Sequence, residues 1–296
     1  MSDGDILRMC REEGFDLVGC APAEPAPERE AEFHEWLEGG YHGEMRYLEG
    51  HAEAKFRPEE LLSGARSVIM VAVNYYQTAG EATGAPEGPT APDEKRGKIS
   101  LYAWGRDYHK VLGSRLRRIV RRLSEQYPAE RFRRFVDTLP IAERYYGARA
   151  GIGFIGRNTL LITEEYGSWV FLGGILTTLP AEAVEGTDGL VERASGLQCR
   201  PDCRRCVDAC PTGALYAPFR IDARRCISYR TIEATDMGLY DRPDETPDIG
   251  RGGEEGDDVS RRTGRWLFGC DVCQKVCPFN RGRPETKELD FRRWIA

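Results

Sequence analysis

"QCRPDCRRCVDACPTGAL", residues 198–215, carries Cys199, Cys203, Cys206 and Cys210, with Pro211 after the last of them. "GCDVCQKVCPFN", residues 269–280, repeats the pattern with Cys270, Cys273, Cys277 and Pro278, and Cys226 stands between the two runs. The bacterial ferredoxin signature C-x2-C-x2-C-x3-C-P wraps three thiolates around one iron–sulfur cube and lends the fourth to a second cube. Applied here, that crossing rule assigns Cys199, Cys203, Cys206 and Cys277 to one [4Fe–4S] cluster. Cys210, Cys226, Cys270 and Cys273 then hold the other. The first loop departs from the signature, with three residues rather than two between Cys199 and Cys203. Zinc also accepts four thiolates, but zinc sites are usually paired C-x2-C knuckles without the Cys-Pro ends.

The rest of the composition agrees with a redox protein. Ten cysteines in a chain without a signal peptide or twin-arginine leader point to metal chemistry in a reducing compartment, hence the cytoplasm. No run of about 18 apolar residues is present, so no membrane association is expected. At 296 residues with 41 % hydrophobic content the chain is long enough for one large domain or two ordinary ones. The net charge of −6 means that an anionic partner must meet a local basic patch.

The pattern predicts an α+β fold in two domains, residues 1–185 and 186–296, with an acidic, Gly-rich insertion at 236–264 expected to be a mobile loop. "SVIMVAVNYY" (67–76) and "SWVFLGGILTTL" (168–179) read as buried strands, and "RFRRFVDTLP" (131–140) as a strand ending at Asp137. "HKVLGSRLRRIVRRLSEQY" (109–127) reads as an amphipathic helix with Leu112, Leu116, Ile119, Val120 and Leu123 on one face, and Asp107 as its N-cap. Cys10 and Cys20 read as small buried apolar residues.

Two motifs mislead. "GIGFIG" (151–156) matches the dinucleotide fingerprint G-x-G-x-x-G, but a helical segment rather than a strand precedes it, and "FLGGILTTLP" (171–180) offers no carboxylate for the ribose. A tight glycine turn close to a ligand fits better. "DYHKVLG" (107–113) is one residue too long for the D-x-H-x-x-G loop that gives cobalamin an axial histidine, so His109 is not assigned as a metal ligand.

"FRPEELLSGARSVIMVAVNYY", "ISLYAWGRDYHKVLGSRLRR", "VDTLPIAERYYGARAGIGFIGRNTLLI", "IDARRCISYRTIE" and "LFGCDVCQKVCPFNR" together resemble the epoxyqueuosine reductase family over residues 5–285. The resemblance implies a nitroreductase-like cobalamin-binding domain followed by a ferredoxin-like domain with two [4Fe–4S] clusters. It implies reductive removal of the epoxide oxygen of epoxyqueuosine in the tRNA anticodon, with electrons passing from an external low-potential donor through the clusters to cobalamin. It also implies a relationship to reductive dehalogenases. Asp137 becomes the proton donor, in an apolar setting that favours a protonated carboxyl. Its alternative role is a cap on the helix that begins near Pro140. Arg57, Tyr102, Asn158, Ser168 and Ser228, with Asp137, fall in segments that line the corrinoid.

Two other functions remain open on the residues alone: a dehalogenase-like corrinoid reductase of a small molecule, and an electron-transfer protein with no substrate of its own. For tRNA, the candidate basic patches are Arg115, Arg117, Arg118, Arg121 and Arg122 on the long helix, and Arg261, Arg262 and Arg265 with Arg281 beside the second cysteine run. The latter group is favoured as substrate-facing. Longer members of the family carry a C-terminal helical-repeat region that adds tRNA contacts, and none follows Ala296 here.

Overall fold

The computed structural model describes residues 5–78, 97–184, 196–234 and 263–292. The acidic insertion, the 185/186 boundary, and Arg261 and Arg262 of the favoured patch lie outside the described residues.

The centre of the fold is β2 (Ser67–Asn74), in which all eight residues are buried. Alternation explains this. Ile69, Val71 and Val73 pack into one apolar cluster, and Val68, Met70 and Ala72 pack into a second on the opposite face of the sheet. A strand covered on both faces loses polar alternation and reads as a continuous apolar run. β1 (Leu17–Pro22) and β6 (Val170–Thr177) flank it, β3 (Phe132–Phe135) closes the edge, and the order β1-β2-β6-β3 is antiparallel throughout. α1 (Asp5–Glu12) and α3 (Tyr108–Gln126) cover the first face: Ile6, Leu112, Leu116, Ile119 and Leu123 are each 0 % exposed. α4 (Glu143–Arg149) covers the second with Tyr146 and with Ala150 just beyond its end.

Asp107 caps α3 as expected, its carboxylate accepting from the His109 amide at 3.0 Å. Cys10 and Cys20 are buried, and burial pushes both thiols up to about 12, which leaves them inert.

An antiparallel sheet excludes the dinucleotide reading of "GIGFIG", which needs a parallel βαβ unit. Gly151 (φ +73°) ends the helical segment, and residues 153–163 form a hairpin of β4 (Phe154–Ile155) and β5 (Leu161–Ile162). A Cβ on Gly153 would stand 2.2 Å from the Ile162 carbonyl oxygen, so this strand approach requires glycine.

The cysteine loops are tied to the sheet by polar contacts. Ser168, two residues before β6, donates to Gln274 at 2.9 Å and accepts from Asn280 at 2.8 Å, and its amide donates to Asn280 at 2.7 Å. Ser100 and the Leu101 amide both donate to the buried Asp271.

Candidate functional site

The sheet, the loop after β3, the glycine hairpin and the cysteine loops enclose a cavity of about 1990 Å³. Tyr75, Tyr102, Tyr108 and Phe171 form its apolar wall, Asp137 to Glu143 a second, and Asn158 a third. Cys210, Cys226, Ser228, Cys270 and Cys273 complete it.

The thiols fall into two neighbourhoods. Burial raises the Cys277 thiol, as do Cys199 and Cys203 beside it. Cys206, pushed up to about 11 chiefly by burial, is close to Cys199 and Cys277. Cys270, pushed up to about 12 by burial, adjoins Cys226 and Cys210, and the strongly raised Cys273 adjoins Cys270, Cys226, Cys206 and Cys210. Cys199, Cys203, Cys206 and Cys277 thus neighbour one another, as do Cys210, Cys226, Cys270 and Cys273, and Cys206 and Cys273 adjoin across the two groups. Backbone N–H groups point at the sulfurs and favour thiolate: Tyr229 and Ser228 at Cys226, Val272 at Cys270, and Phe279 and Asn280 at Cys277. Among the described residues no three such side chains close on one point as ligands of a single ion do. Thiolates around a four-iron cube stand farther apart, because the cube lies between them.

Asp137 sits at the cavity wall in the left-handed region, φ +53°. Its amide donates to Glu143 Oε1 at 2.7 Å, and its Oδ2 accepts from the Tyr108 hydroxyl at 3.0 Å. The capping alternative fails, since residue 142 occupies the N-cap position of α4 and Asp137 bonds elsewhere. The expected apolar enclosure is also corrected: the side chain is 66 % exposed, with polar neighbours. Tyr108 is stacked between Phe171 (4.3 Å between centroids, 4° apart) and His109 (4.0 Å). Burial, together with Asp137, raises the Tyr108 hydroxyl, so it stays protonated and donates.

Three groups around Asp137 were missed by sequence reasoning. Tyr108 and His109 start α3, 29 and 28 residues away in the chain, and Glu143 begins α4. His109 Nδ1 is held by Asp107 at 2.9 Å, which leaves Nε2 3.8 Å from Asp137 Oδ2. Burial, with Asp137 adding to it, pushes the Glu143 carboxyl up to about 8. The legible signal was the "DYH" that also caps the helix. No local pattern indicates which loop that helix start will face.

Of the expected corrinoid contacts, Tyr102, Asn158, Ser168 and Ser228 border the cavity with Asp137. Ser168 is already bonded to Gln274 and Asn280. Asn158 is 4 % exposed and its amide nitrogen has no hydrogen-bond partner. Arg57 is not brought to the cavity wall: Glu30 holds its guanidinium with two hydrogen bonds, at 3.0 and 2.7 Å. On α3, Arg115 pairs with Glu288, Arg118 with Glu13 at 2.7 Å and Arg122 with Glu12 at 3.6 Å, so that face braces the fold. No helix among the described residues is long and apolar enough to cross a membrane.

Comparison with known proteins agrees with this geometry. Residues 55–138 match the family model "Epoxyqueuosine reductase QueG, DUF1730", and residues 198–280 match a "4Fe-4S double cluster binding domain". An epoxyqueuosine reductase of Synechococcus sp. (strain CC9605) is 37 % identical over 296 residues, 98 % of this chain and 80 % of the relative. A crystal structure of an epoxyqueuosine reductase with an epoxyqueuosine-modified tRNA-Tyr stem loop superposes with a TM-score of 0.76 at 27 % identity, covering 98 % of this chain and 68 % of that one. The Bacillus subtilis epoxyqueuosine reductase, solved with its catalytic aspartate loop swung out of the active site, gives the same TM-score at 26 % identity, with coverage of 98 % and 68 %. With paired cysteine neighbourhoods, an aspartate on a cavity wall and a relative this similar over nearly the whole of this chain, the chain belongs to the epoxyqueuosine reductase family of oxidoreductases.

Proposed function

We propose that the protein reduces epoxyqueuosine to queuosine in the anticodon of tRNA, with cobalamin in the cavity and two [4Fe–4S] clusters in the cysteine loops. The observation that carries this reading is a single cavity with Asp137 on one wall and Cys210, Cys226, Cys270 and Cys273 on another. In domain terms, residues 1–185 are a nitroreductase-like cobalamin domain and residues 186–296 a ferredoxin-like domain. The ligand sets are Cys199, Cys203, Cys206 and Cys277, and Cys210, Cys226, Cys270 and Cys273. The second set borders the cavity and stands nearer the corrinoid, so an external low-potential donor feeds the first.

The unpartnered Asn158 amide supports a bound group with acceptor atoms, such as the carboxamide arms of a corrinoid. Tyr102 and Ser228 border the same space. Cobalamin, when bound and reduced, supplies the electrons that cleave the carbon–oxygen bond. The overall change is epoxide plus two electrons and two protons to alkene plus water. Asp137 delivers a proton to the departing oxygen, which would otherwise leave as an oxyanion. Tyr108 orients the carboxyl, His109 stands ready to return the proton, and Glu143 holds the backbone beneath it. The Bacillus subtilis enzyme, described with an aspartate on a catalytic loop, supports a catalytic role for the Asp137 loop.

The test is the mass of queuosine-type nucleosides in tRNA from cells with and without the gene. Epoxyqueuosine should accumulate without the gene, and disappear when it is restored but not when it is restored with Asp137→Asn. Identical nucleoside profiles in both strains would end the reading.

A further inference from the structure

Large apolar side chains are exposed at few places among the described residues, and the aromatic ones are Tyr47 (56 %), Phe219 (51 %) and Tyr216 (44 %). They are not scattered. Tyr47 and Phe219 both border the cavity that holds Asp137, and Tyr216 directly precedes the turn that carries Phe219. On the short helix Arg46–His51, the Tyr47 hydroxyl is raised by burial and then by the nearby carboxylates of Glu233 and Asp137.

Phe219 is doubly unfavourable where it stands. Its ring meets water, and its backbone is left-handed (φ +64°), a conformation that bulky residues rarely adopt. The turn is closed by a bridge between Ala217 and Arg220, and the Phe219 amide donates to Arg157 at 2.9 Å. The Arg157 guanidinium lies over the ring, 5.8 Å from its centroid. Tyr216 is stacked on Tyr41 (5.6 Å), whose ring carries Arg224 at 5.3 Å. Exposed rings backed by guanidinium groups are the sequence-tolerant surface on which unpaired nucleobases stack.

We infer that Tyr47 and Phe219, extended by Tyr216, form a stacking platform at the cavity mouth for unpaired anticodon-loop bases flanking the one that enters. This rests on the tRNA reading above and adds the residues that grip the loop. The phosphates play no part in such contacts, so the platform contributes affinity without salt dependence.

The probe is an unmodified tRNA anticodon stem-loop with 2-aminopurine in the loop, titrated into the full chain over a range of salt. Tyr47→Ala and Phe219→Ala should each weaken binding roughly tenfold, the scale of one lost base stack. The slope of log affinity against log salt should not change, and the 2-aminopurine quenching seen with wild type should be lost. Tyr47→Phe should bind as wild type. A blunt RNA duplex should bind all variants alike. If both alanine variants bind and quench like wild type, or the duplex is weakened equally, the platform is wrong while tRNA binding stands. If the wild-type chain does not bind the stem-loop, the tRNA reading falls with it.

Discussion

Replacing Glu143 tests whether the Asp137 loop is held from below. The Asp137 amide gives its hydrogen to Glu143 Oε1 at 2.7 Å, and Asp137 is in a left-handed conformation that a residue with a Cβ leaves readily. Stranding a donor by removing its acceptor costs about 1–3 kcal/mol. Taking about 2 kcal/mol, the equilibrium constant between Asp137 in place and Asp137 displaced should fall by roughly thirtyfold in Glu143→Ala. Single-turnover reduction of epoxyqueuosine in tRNA should slow by up to that factor, with little change in the affinity for tRNA. Glu143→Gln keeps the accepting oxygen and should stay within about threefold of wild type below pH 8, where the raised carboxyl is itself neutral. Hydrogen exchange at the Asp137 amide should accelerate in the alanine variant only. The folded protein holds this proton up to about 8, against an ordinary value of 4.5, so the unfolded chain loses it first. Stability of the apoprotein should therefore decline as pH rises between those values, and Glu143→Gln should flatten that decline. An alanine variant with wild-type turnover and unchanged exchange would refute the tether.

Other perturbations separate the remaining roles. Anaerobic reconstitution should yield about eight iron and eight sulfide per chain, and Cys277→Ser and Cys273→Ser should abolish different clusters by electron-spin resonance. Loss of the same cluster in both, or about two zinc per chain, would remove the crossed assignment. His109→Ala should leave the spectrum of bound cobalamin unchanged but slow turnover, since the ring is held by Asp107 and faces Asp137. A lost nitrogen coupling to Co(II) in that variant would show the histidine beneath the cobalt instead. Arg118→Ala and Arg122→Ala should cost less than about 1 kcal/mol each in denaturant titrations, as partly exposed ion pairs do, and leave the salt slope for RNA intact. A flattened slope would return the anticodon to the long helix.

Much of this molecule is written in short windows. The cysteine spacing is a statement about how far a few residues reach around a cube. The double-cluster domain over residues 198–280 is therefore legible in the sequence, and the proposed pairing of ligands is drawn from it. β2, β6 and α3 follow from apolar runs and periodicity, which depend on neighbours within a turn or two. Asp137 stood out because the strand was expected to run up to it; β3 in fact ends at Phe135, and Asp137 stands in the loop beyond. Its chemical surroundings were decided elsewhere. Tyr108 and His109 reach it because the start of α3 lies beside the loop after β3, and Glu143 because α4 turns back beneath that loop. Arg57 left the predicted site because Glu30 on the helix Pro27–Glu38 satisfied its charge. The exposed rings at the cavity mouth come from segments about 170 residues apart, Tyr47 and Phe219, that no local rule relates. A window of sequence records the forces acting within it. A cavity is made by segments that meet only after the sheet has closed, and its partnerships are set by packing.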